Sequence, residues 1–304
     1  MQGISCENIS KSYDNGKKAL DSVSFGFSDR GIISIIGRNG AGKTTLTRIL
    51  ATELMPSAGN ASIDGIDILK DPGKVRELIA IVPQESRPIG WLTCKQAVTT
   101  YLLYRGYGYS EASSRASEAL KKIGIEQYAN SLARRLSGGT KRKLTIATVL
   151  ASDAKIIFLD EPTTGLDPIS RNELWNMLEL LKKDYLIFLT THYLEEAERL
   201  ADKIGIMEMG NLLAFGSMDD LRKKVDYEYC VRINDKRKKF ELKDGKYITG
   251  RDNTEQIFTS KSEAFEISKQ LMKEGVSFSS NPLSLEDIFY YIVKMRLSED
   301  YEEK

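Results

Sequence analysis

The chain has 304 residues, room for about two domains, with 44 Lys plus Arg against 43 Asp plus Glu and a formal charge of +1. That balance argues against a dedicated nucleic-acid binder driven by phosphate neutralisation, although a local basic groove would still fit it. A content of 41% hydrophobic and 29% charged residues is enough to bury a core, no apolar run approaches the ~18 residues of a membrane-spanning helix, and Cys6, Cys94 and Cys230 are too few and too far apart for a metal motif or a disulfide framework. The first residues lack the charged and apolar regions of a secretory signal, so a cytoplasmic protein is expected.

Residues 1–222 alternate apolar strand-like runs with helical patterns, which predicts an α/β domain with a largely parallel sheet. Gly31–Ile36 is a short β-branched run, and Thr44–Leu54 then places Leu46, Ile49, Leu50 and Leu54 on one helical face. Ile81-Val82-Pro83 resembles a strand end. The stretch from about Glu85 to Leu136 has helical spacing and no clear strand, with Thr93 and Gln96 placed as a capping box. A helical subdomain over about 85–150 is expected. Lys155–Leu159, Tyr185–Leu189 and Lys203–Met207 predict three further buried strands, with a helix over Ile169–Lys183 between the first two. From 223 to 304 the pattern becomes that of a small α+β domain. Tyr227–Ile233 and Lys239–Leu242 alternate like strands, Asp244-Gly245 marks a hairpin turn, and Ser260 and Ser284 are placed to cap two helices. The second helix carries Leu285, Ile288, Phe289, Ile292 and Val293 as an apolar stripe, and the acidic end from Ser298 to Lys304 is expected to fray.

The chemistry concentrates at strand ends. Gly37-Arg38-Asn39-Gly40-Ala41-Gly42-Lys43-Thr44 fits G-x-x-x-x-G-K-[ST], between a buried strand and a helix. Glycines let successive amides point at phosphate oxygens, and the following helix aims its positive end at the same anion. Lys43 would reach the β- and γ-phosphates, Thr44 would ligate Mg²⁺, and Thr45 would support the α-phosphate. Asp160-Glu161 ends an apolar strand. Asp160 is placed for the Mg²⁺ coordination shell and Glu161 for a base facing the attacking water. A carboxylate pair that merely caps the next helix is the plainer alternative. His192, the only histidine, follows another strand of the same sheet and is placed to contact the γ-phosphate, and Gln84 to sense Mg²⁺ or the water. Ser137 with the amides near Gly138 and Gly139 forms a second anion-seeking helix start. Lys141, Arg142 and Lys143 read as a solvated helix face.

Leu136-Ser137-Gly138-Gly139-Thr140 resembles the LSGGQ signature of the ATP-binding-cassette (ABC) family, with Thr140 where that family most often has Gln. The order of elements matches the family as well: phosphate loop, Gln84, signature, Asp160-Glu161, Gly165-Leu166-Asp167, His192. The resemblance covers roughly residues 1–220 and implies a P-loop NTPase core. It further implies that two cassettes pack head to tail, that Ser137 and Gly139 bind the γ-phosphate held by the other copy, and that Asp167 links the two sites. Tyr13 matches the aromatic residue that stacks on adenine, although a surface tyrosine in a strand–turn segment fits it nearly as well.

One cassette with no membrane helix implies a separate membrane permease. Arg87–Trp91 is the candidate contact surface, with burial of Trp91 in the subdomain as the alternative. Ser284-Leu285-Glu286-Asp287-Ile288-Phe289 and the stretch Thr190–Glu198 are similar to elements of drug, bacteriocin and sodium-efflux exporter cassettes. The resulting expectation is the ATP-hydrolysing subunit of an exporter, held on the inner face of the cell membrane, with no nucleic-acid partner. A soluble ABC ATPase acting on DNA or ribosomes is the second reading. A nucleotide-dependent module with little turnover is a third, and Glu161 with His192 argues against it.

Overall fold

The structure, a computed structural model, describes residues 3–14, 16–233, 245–249 and 255–302. The chain divides into two compact units, Met1–Leu212 and Leu213–Lys304. The first contains β1 (Ile4–Ser12), β2 (Lys18–Phe27), β3 (Gly31–Gly37), α1 (Lys43–Leu50), β4 (Ala58–Ile63), β5 (Ile66–Asp67), α2 (Pro72–Leu78) and β6 (Ile79–Val82). It continues through α3 (Cys94–Tyr104), α4 (Tyr109–Lys122), two short 3-10 turns, α5 (Gly138–Leu150), β7 (Ile156–Asp160), α6 (Pro168–Leu181), β8 (Leu186–Thr191), α7 (Leu194–Leu200) and β9 (Lys203–Glu208). The division falls inside β10 (Asn211–Gly216).

The main sheet has the order β10-β9-β3-β8-β7-β6. The strands from β9 to β6 run parallel, with Asp160 opposite Thr190, Ile36 opposite Thr191 and Val82 opposite Leu159. Every residue of β3, β7 and β8 is buried. A parallel sheet covered on both faces requires such unbroken apolar runs, which is why these strands are the plainest in the sequence. Ile157, Leu159, Ile187 and Leu189 pack with Leu144, Ile146, Leu174 and Leu178 of α5 and α6 in one core.

A second sheet, β2-β1-β4-β5, is antiparallel throughout. Its strands were not expected from the sequence. Asn8 and Ser22 sit at positive φ and the β1–β2 register shifts three times, so the alternation of side chains is interrupted. The helix expected to reach Leu54 stops at Leu50. Thr52 turns left-handed (φ 61°), and the amides of Glu53 and Leu54 return to the Arg48 carbonyl.

In the helical segment α3 opens with the complete Thr93–Gln96 capping box that the spacing predicts. Ala112, Ala116 and Ala119 let α4 approach the buried Val98, Leu102 and Leu144. Trp91 and Ile89 are exposed, 76% and 44%, so Trp91 is not a core residue.

The second unit contains α8 (Met218–Arg222), β11 (Tyr229–Ile233), β12 (Gly245–Thr249), β13 (Glu255–Thr259), α9 (Lys261–Lys273), β14 (Phe278–Pro282) and α10 (Leu285–Glu302). It begins ahead of the expected 222/223 boundary because α8, opened by a Ser217–Asp220 capping box, belongs to it: Arg222 Nε donates to the Leu283 carbonyl at 3.4 Å. The antiparallel sheet β12-β13-β11-β14 is covered on one face by α9, through Val231, Ile233, Ile257, Ala264, Ile267 and Leu271. On the other face Tyr291 of α10 packs against Phe258, 5.4 Å between ring centres. Ser260 caps α9 as expected. The strand expected over Lys239–Leu242 and residue Asp244 of the expected turn lie outside the described residues. The apolar stripe of α10 is uneven: Leu285, Ile288 and Val293 are buried, Phe289 and Ile292 only partly. Its helical backbone continues to Glu302, across most of the segment expected to fray.

The Ser284–Asp287 motif has a structural explanation. Asp287 Oδ2 accepts from the Ser284 amide (3.0 Å) and hydroxyl (2.6 Å), and Ser284 Oγ accepts from the Asp287 amide (3.3 Å). Asp287 Oδ1 takes the Arg232 guanidinium of β11 at 2.7 Å. The motif caps α10 and pins it to the sheet.

Candidate active site

The strand order β3-β8-β7-β6 brings four C-terminal strand ends to one edge. The phosphate loop follows β3, His192 follows β8, Glu161 follows β7 and Gln84 follows β6 by two residues. Ligand crevices form at such an edge. A cavity of about 680 Å³ lies there, lined by Tyr13, Asn39, Gly40, Gly42, Lys43, Thr44, Thr45, Gln84, Glu161 and His192 among the residues anticipated from the sequence. Lys17, Ala19 and Thr164 line it too and were not anticipated. Gly37 and Ala41, also of the loop, are buried and do not line the cavity.

Gly42 is the residue that shapes the loop. Its φ is +105°, and a Cβ there would meet the Ala19 carbonyl oxygen at 2.5 Å. Lys43 follows as the first residue of α1, 5% exposed, and its ammonium donates to the Gly37 carbonyl (2.9 Å) and the Arg38 carbonyl (3.2 Å).

The cavity is organised around the Glu161 carboxylate. Oε1 lies 3.4 Å from Lys43 Nζ. Oε2 accepts from Gln84 Nε2 (3.1 Å) and from the Thr164 hydroxyl (3.1 Å), and lies 3.0 Å from His192 Nδ1. Glu161 itself is buried and strained, with φ +46°. A non-glycine residue in that region costs about 1–3 kcal/mol and persists only where its surroundings over-determine it. Here its amide donates to both the carbonyl and the hydroxyl oxygen of Thr190, each at 3.1 Å.

The Thr190 hydroxyl in turn donates to Asp160 Oδ1. Asp160 is buried, and its side chain does not line the cavity. Thr45 is held near Tyr13, whose hydroxyl is 3.3 Å from Thr45 Oγ1. Oxygen donors from Thr44, Gln84 and Asp160 suit a hard divalent cation. Among the described residues no group of three His, Cys, Asp or Glu is assembled to hold a metal alone. That chemistry fits an ion such as Mg²⁺ that keeps phosphate and water ligands.

The signature residues do not line this cavity. Ser137 is exposed at the start of α5, where its hydroxyl accepts from the Thr140 amide (3.2 Å) and lies 2.8 Å from the Thr140 hydroxyl. Gly139 abuts α6: a Cβ there would meet Ser170 Oγ at 2.6 Å. Asp167 caps α6 by accepting from the amides of Ile169 and Ser170, each at 3.0 Å, and from the Ser170 hydroxyl at 2.6 Å. That hydroxyl, with the amides, holds its carboxyl below the usual range. Ser137, Gly138, Gly139 and Asp167 therefore stand apart from the phosphate loop of their own chain, on the neighbouring starts of α5 and α6.

The expected solvated face of Lys141, Arg142 and Lys143 needs correction. Arg142 is buried. Its spacing to Thr145, Ile146 and Val149, all buried, places it on the apolar face of α5, a signal present in the sequence. Lys143 pairs with Glu173 of α6 at 2.7 Å.

The ABC transporter family model matches residues 20–164. The chain is 34% identical over 242 residues to the daunorubicin/doxorubicin resistance ATP-binding protein DrrA of Streptomyces peucetius, covering 79% of this chain and 73% of that one. It is 37% identical over 224 residues to the doxorubicin resistance ATP-binding protein DrrA of Mycobacterium tuberculosis, covering 73% and 68%. Human phospholipid-transporting ATPase ABCA3 is 35% identical over 236 residues, but the chain spans only 14% of its length. Among solved structures, CbiO1 of Clostridium perfringens, part of the ABC transporter complex CbiONQ, superposes with a TM-score of 0.65 at 28% identity, covering 73% of this chain and 94% of that one. A dimeric ATP-binding cassette in a post-hydrolysis state with ADP and Pi gives 0.64 at 27% identity, covering 71% and 98%. The chain belongs to the ABC transporter family, and its first unit is a P-loop ATPase cassette of that family.

Proposed function

We propose that this chain is the ATP-hydrolysing subunit of a multi-subunit exporter, working on the inner face of the cell membrane through a separate permease. The observation that carries the hydrolytic part is the convergence of Lys43, Gln84, Thr164 and His192 on one buried carboxylate, Glu161, at the mouth of a phosphate loop.

In that reading ATP enters along Gly37–Gly42, with its base against Tyr13. Its β- and γ-phosphates take Lys43 from Glu161, because a phosphate carries more charge and more acceptor oxygens than a carboxylate. Thr45 supports the α-phosphate. Glu161, freed from Lys43, turns its carboxylate to the attacking water and accepts a proton from it. His192 and Gln84 hold the γ-phosphate and the water in line. Thr44 and Gln84 at the cavity, with Asp160 reaching from behind it through water, are the residues that would hold Mg²⁺, which would neutralise charge on the phosphates when bound.

The other half of the site comes from a second copy. The exposed Ser137–Gly139 start of α5 would close over the γ-phosphate held by the first copy, with Asp167 beside it. Two ATP molecules then join the cassettes until hydrolysis removes the bridging phosphate. Motion near Gln84 reaches the exposed Arg87–Trp91 segment, the proposed permease contact. This segment is braced by bonds from the Ala133 and Arg134 amides to the Leu92 and Gly90 carbonyls. Among the described residues no helix is long and apolar enough to cross a membrane, so the transport path is assigned to the permease. Residues 223–304 are proposed as an accessory domain.

Affinity capture of the tagged chain from detergent-solubilised membranes of its own cells tests the assignment. An integral membrane protein should co-purify in fixed ratio, and Trp91→Ala should weaken its recovery. Recovery only with ribosomes or nucleic acid would replace the exporter with the non-transport reading.

A further inference from the structure

Arg142 is a buried cation that the hydrolytic scheme leaves unused. Its guanidinium serves backbone only: Nε donates to the Pro162 carbonyl (2.7 Å), Nη1 to the Pro83 carbonyl (3.3 Å), and Nη2 to the carbonyls of Asp160 (3.2 Å) and Glu161 (3.3 Å). No carboxylate is among these acceptors, although the negative charges of Asp160 and Glu196 lie near enough to favour the charged guanidinium. Desolvation pushes its pKa down to about 10, so it stays charged at neutral pH.

A buried charge hydrogen-bonded only to neutral acceptors, with Asp160 and Glu196 offsetting its desolvation in part, is a costly way to fill space, and an apolar side chain of similar volume fills it at less cost. The geometry offers a reason for a guanidinium. Its rigid fork reaches several acceptors at once, which an ammonium on a flexible stem does not. The acceptors belong to the two elements that must be held for hydrolysis. One is the turn at Asp160–Pro162, where Glu161 sits at φ +46°. The other is Pro83, directly before Gln84. The donor stands one turn into α5, the helix whose first residues carry the signature.

We infer that Arg142 is a positioning residue for the hydrolytic step, a clamp that ties the signature helix to the Glu161 turn and to the approach to Gln84. It acts through backbone carbonyls and touches no substrate. The inference rests on the site reading given under Proposed function. When Ser137 engages the second copy's nucleotide, α5 and the Glu161 turn move as one piece, so Glu161 and Gln84 are correctly placed only when α5 is. Displacement of reacting groups by about 1 Å costs on the order of 10²-fold in rate.

The test compares wild type, Arg142→Met and Arg142→Lys for ATP turnover per nucleotide-binding site, with Kd for a nonhydrolysable ATP analogue measured on the same preparations. The phosphate loop does not touch Arg142, so analogue Kd should stay within about 2-fold. Turnover per site should fall about 30–100-fold in Arg142→Met and about 5-fold or more in Arg142→Lys, which keeps the charge but loses the fork. A space-filling role would lower thermal stability and leave turnover per binding site intact. Wild-type turnover per site in Arg142→Met overturns the inference. Should Arg142→Met fail to fold, wild-type turnover per site in Arg142→Lys overturns it equally. Wild type that binds no analogue would sink the site reading itself, and the inference with it.

Discussion

The two units handle buried charge in opposite ways. In the second unit Asp287 is buried with every contact directed to architecture: it caps α10 and holds Arg232 of the neighbouring strand. In the first unit the buried Lys43 and Glu161 also contact each other, and the half-buried His192 meets Glu161, but beside an open cavity, on a strained turn, with donors that a stronger anion would claim. The difference is accessibility. A charge whose partners cannot be displaced is a fastener, and a charge whose partners face a cavity is a site.

The largest effect expected is on turnover. Glu161→Gln keeps the shape and the contacts to Gln84 and Thr164 but removes the base, and should lower ATP hydrolysis by roughly 10³-fold in a steady-state assay while nucleotide binding persists. Retained turnover would move Glu161 to the class of fasteners. Next, Lys43→Ala should weaken ATP binding by about 30–150-fold, the worth of one charge-assisted phosphate contact of about 2–3 kcal/mol, by titration calorimetry. In contrast, Asp287→Ala should destabilise the second unit by about 2–4 kcal/mol, through loss of the cap and an Arg232 left without its buried partner, read from denaturant unfolding. A change of nucleotide affinity in the folded Asp287→Ala protein would break the contrast.

A third kind of buried charge sharpens it. Glu196 is fully buried, its Oε1 accepting from Trp175 Nε1 at 2.8 Å, and desolvation raises its pKa above the ordinary 4.5. Between the unfolded and folded values the native state binds more protons than the unfolded one, so this group contributes less stability as pH rises above 4.5. Glu196→Gln should therefore flatten the fall in thermal stability from acid toward neutral pH. An unchanged pH profile would mean that Glu196 titrates normally. The smallest effect is expected at an ordinary cap. Ser260→Ala should cost about 1 kcal/mol, with ATP turnover untouched.

Much of this was legible in the sequence because parallel strands buried on both faces carry unbroken apolar runs. Gly31–Ile36, Lys155–Leu159 and Tyr185–Leu189 stand out for that reason, and the residues following them, Lys43, Glu161 and His192, proved to share one cavity. The antiparallel sheet of β1, β2, β4 and β5 was hidden by register shifts and left-handed residues that no alternation rule anticipates. Thr164 was missed because it reaches Glu161 through a turn, three residues on, rather than from a strand end. Arg142 was misread because its neighbours Lys141 and Lys143 suggested a charged face, although its spacing to Ile146 and Val149 already placed it on the apolar one. Ser137 was expected to reach the other copy's γ-phosphate and Asp167 to link the two sites, and neither lines the phosphate-loop cavity of its own chain.

That separation makes one measurement decisive: the structure of the Glu161→Gln protein with ATP and Mg²⁺. The account predicts two copies related head to tail, each γ-phosphate touched by Lys43 of one copy and Ser137 of the other. A closed nucleotide enclosed by one copy alone, with Ser137 facing solvent, would contradict it.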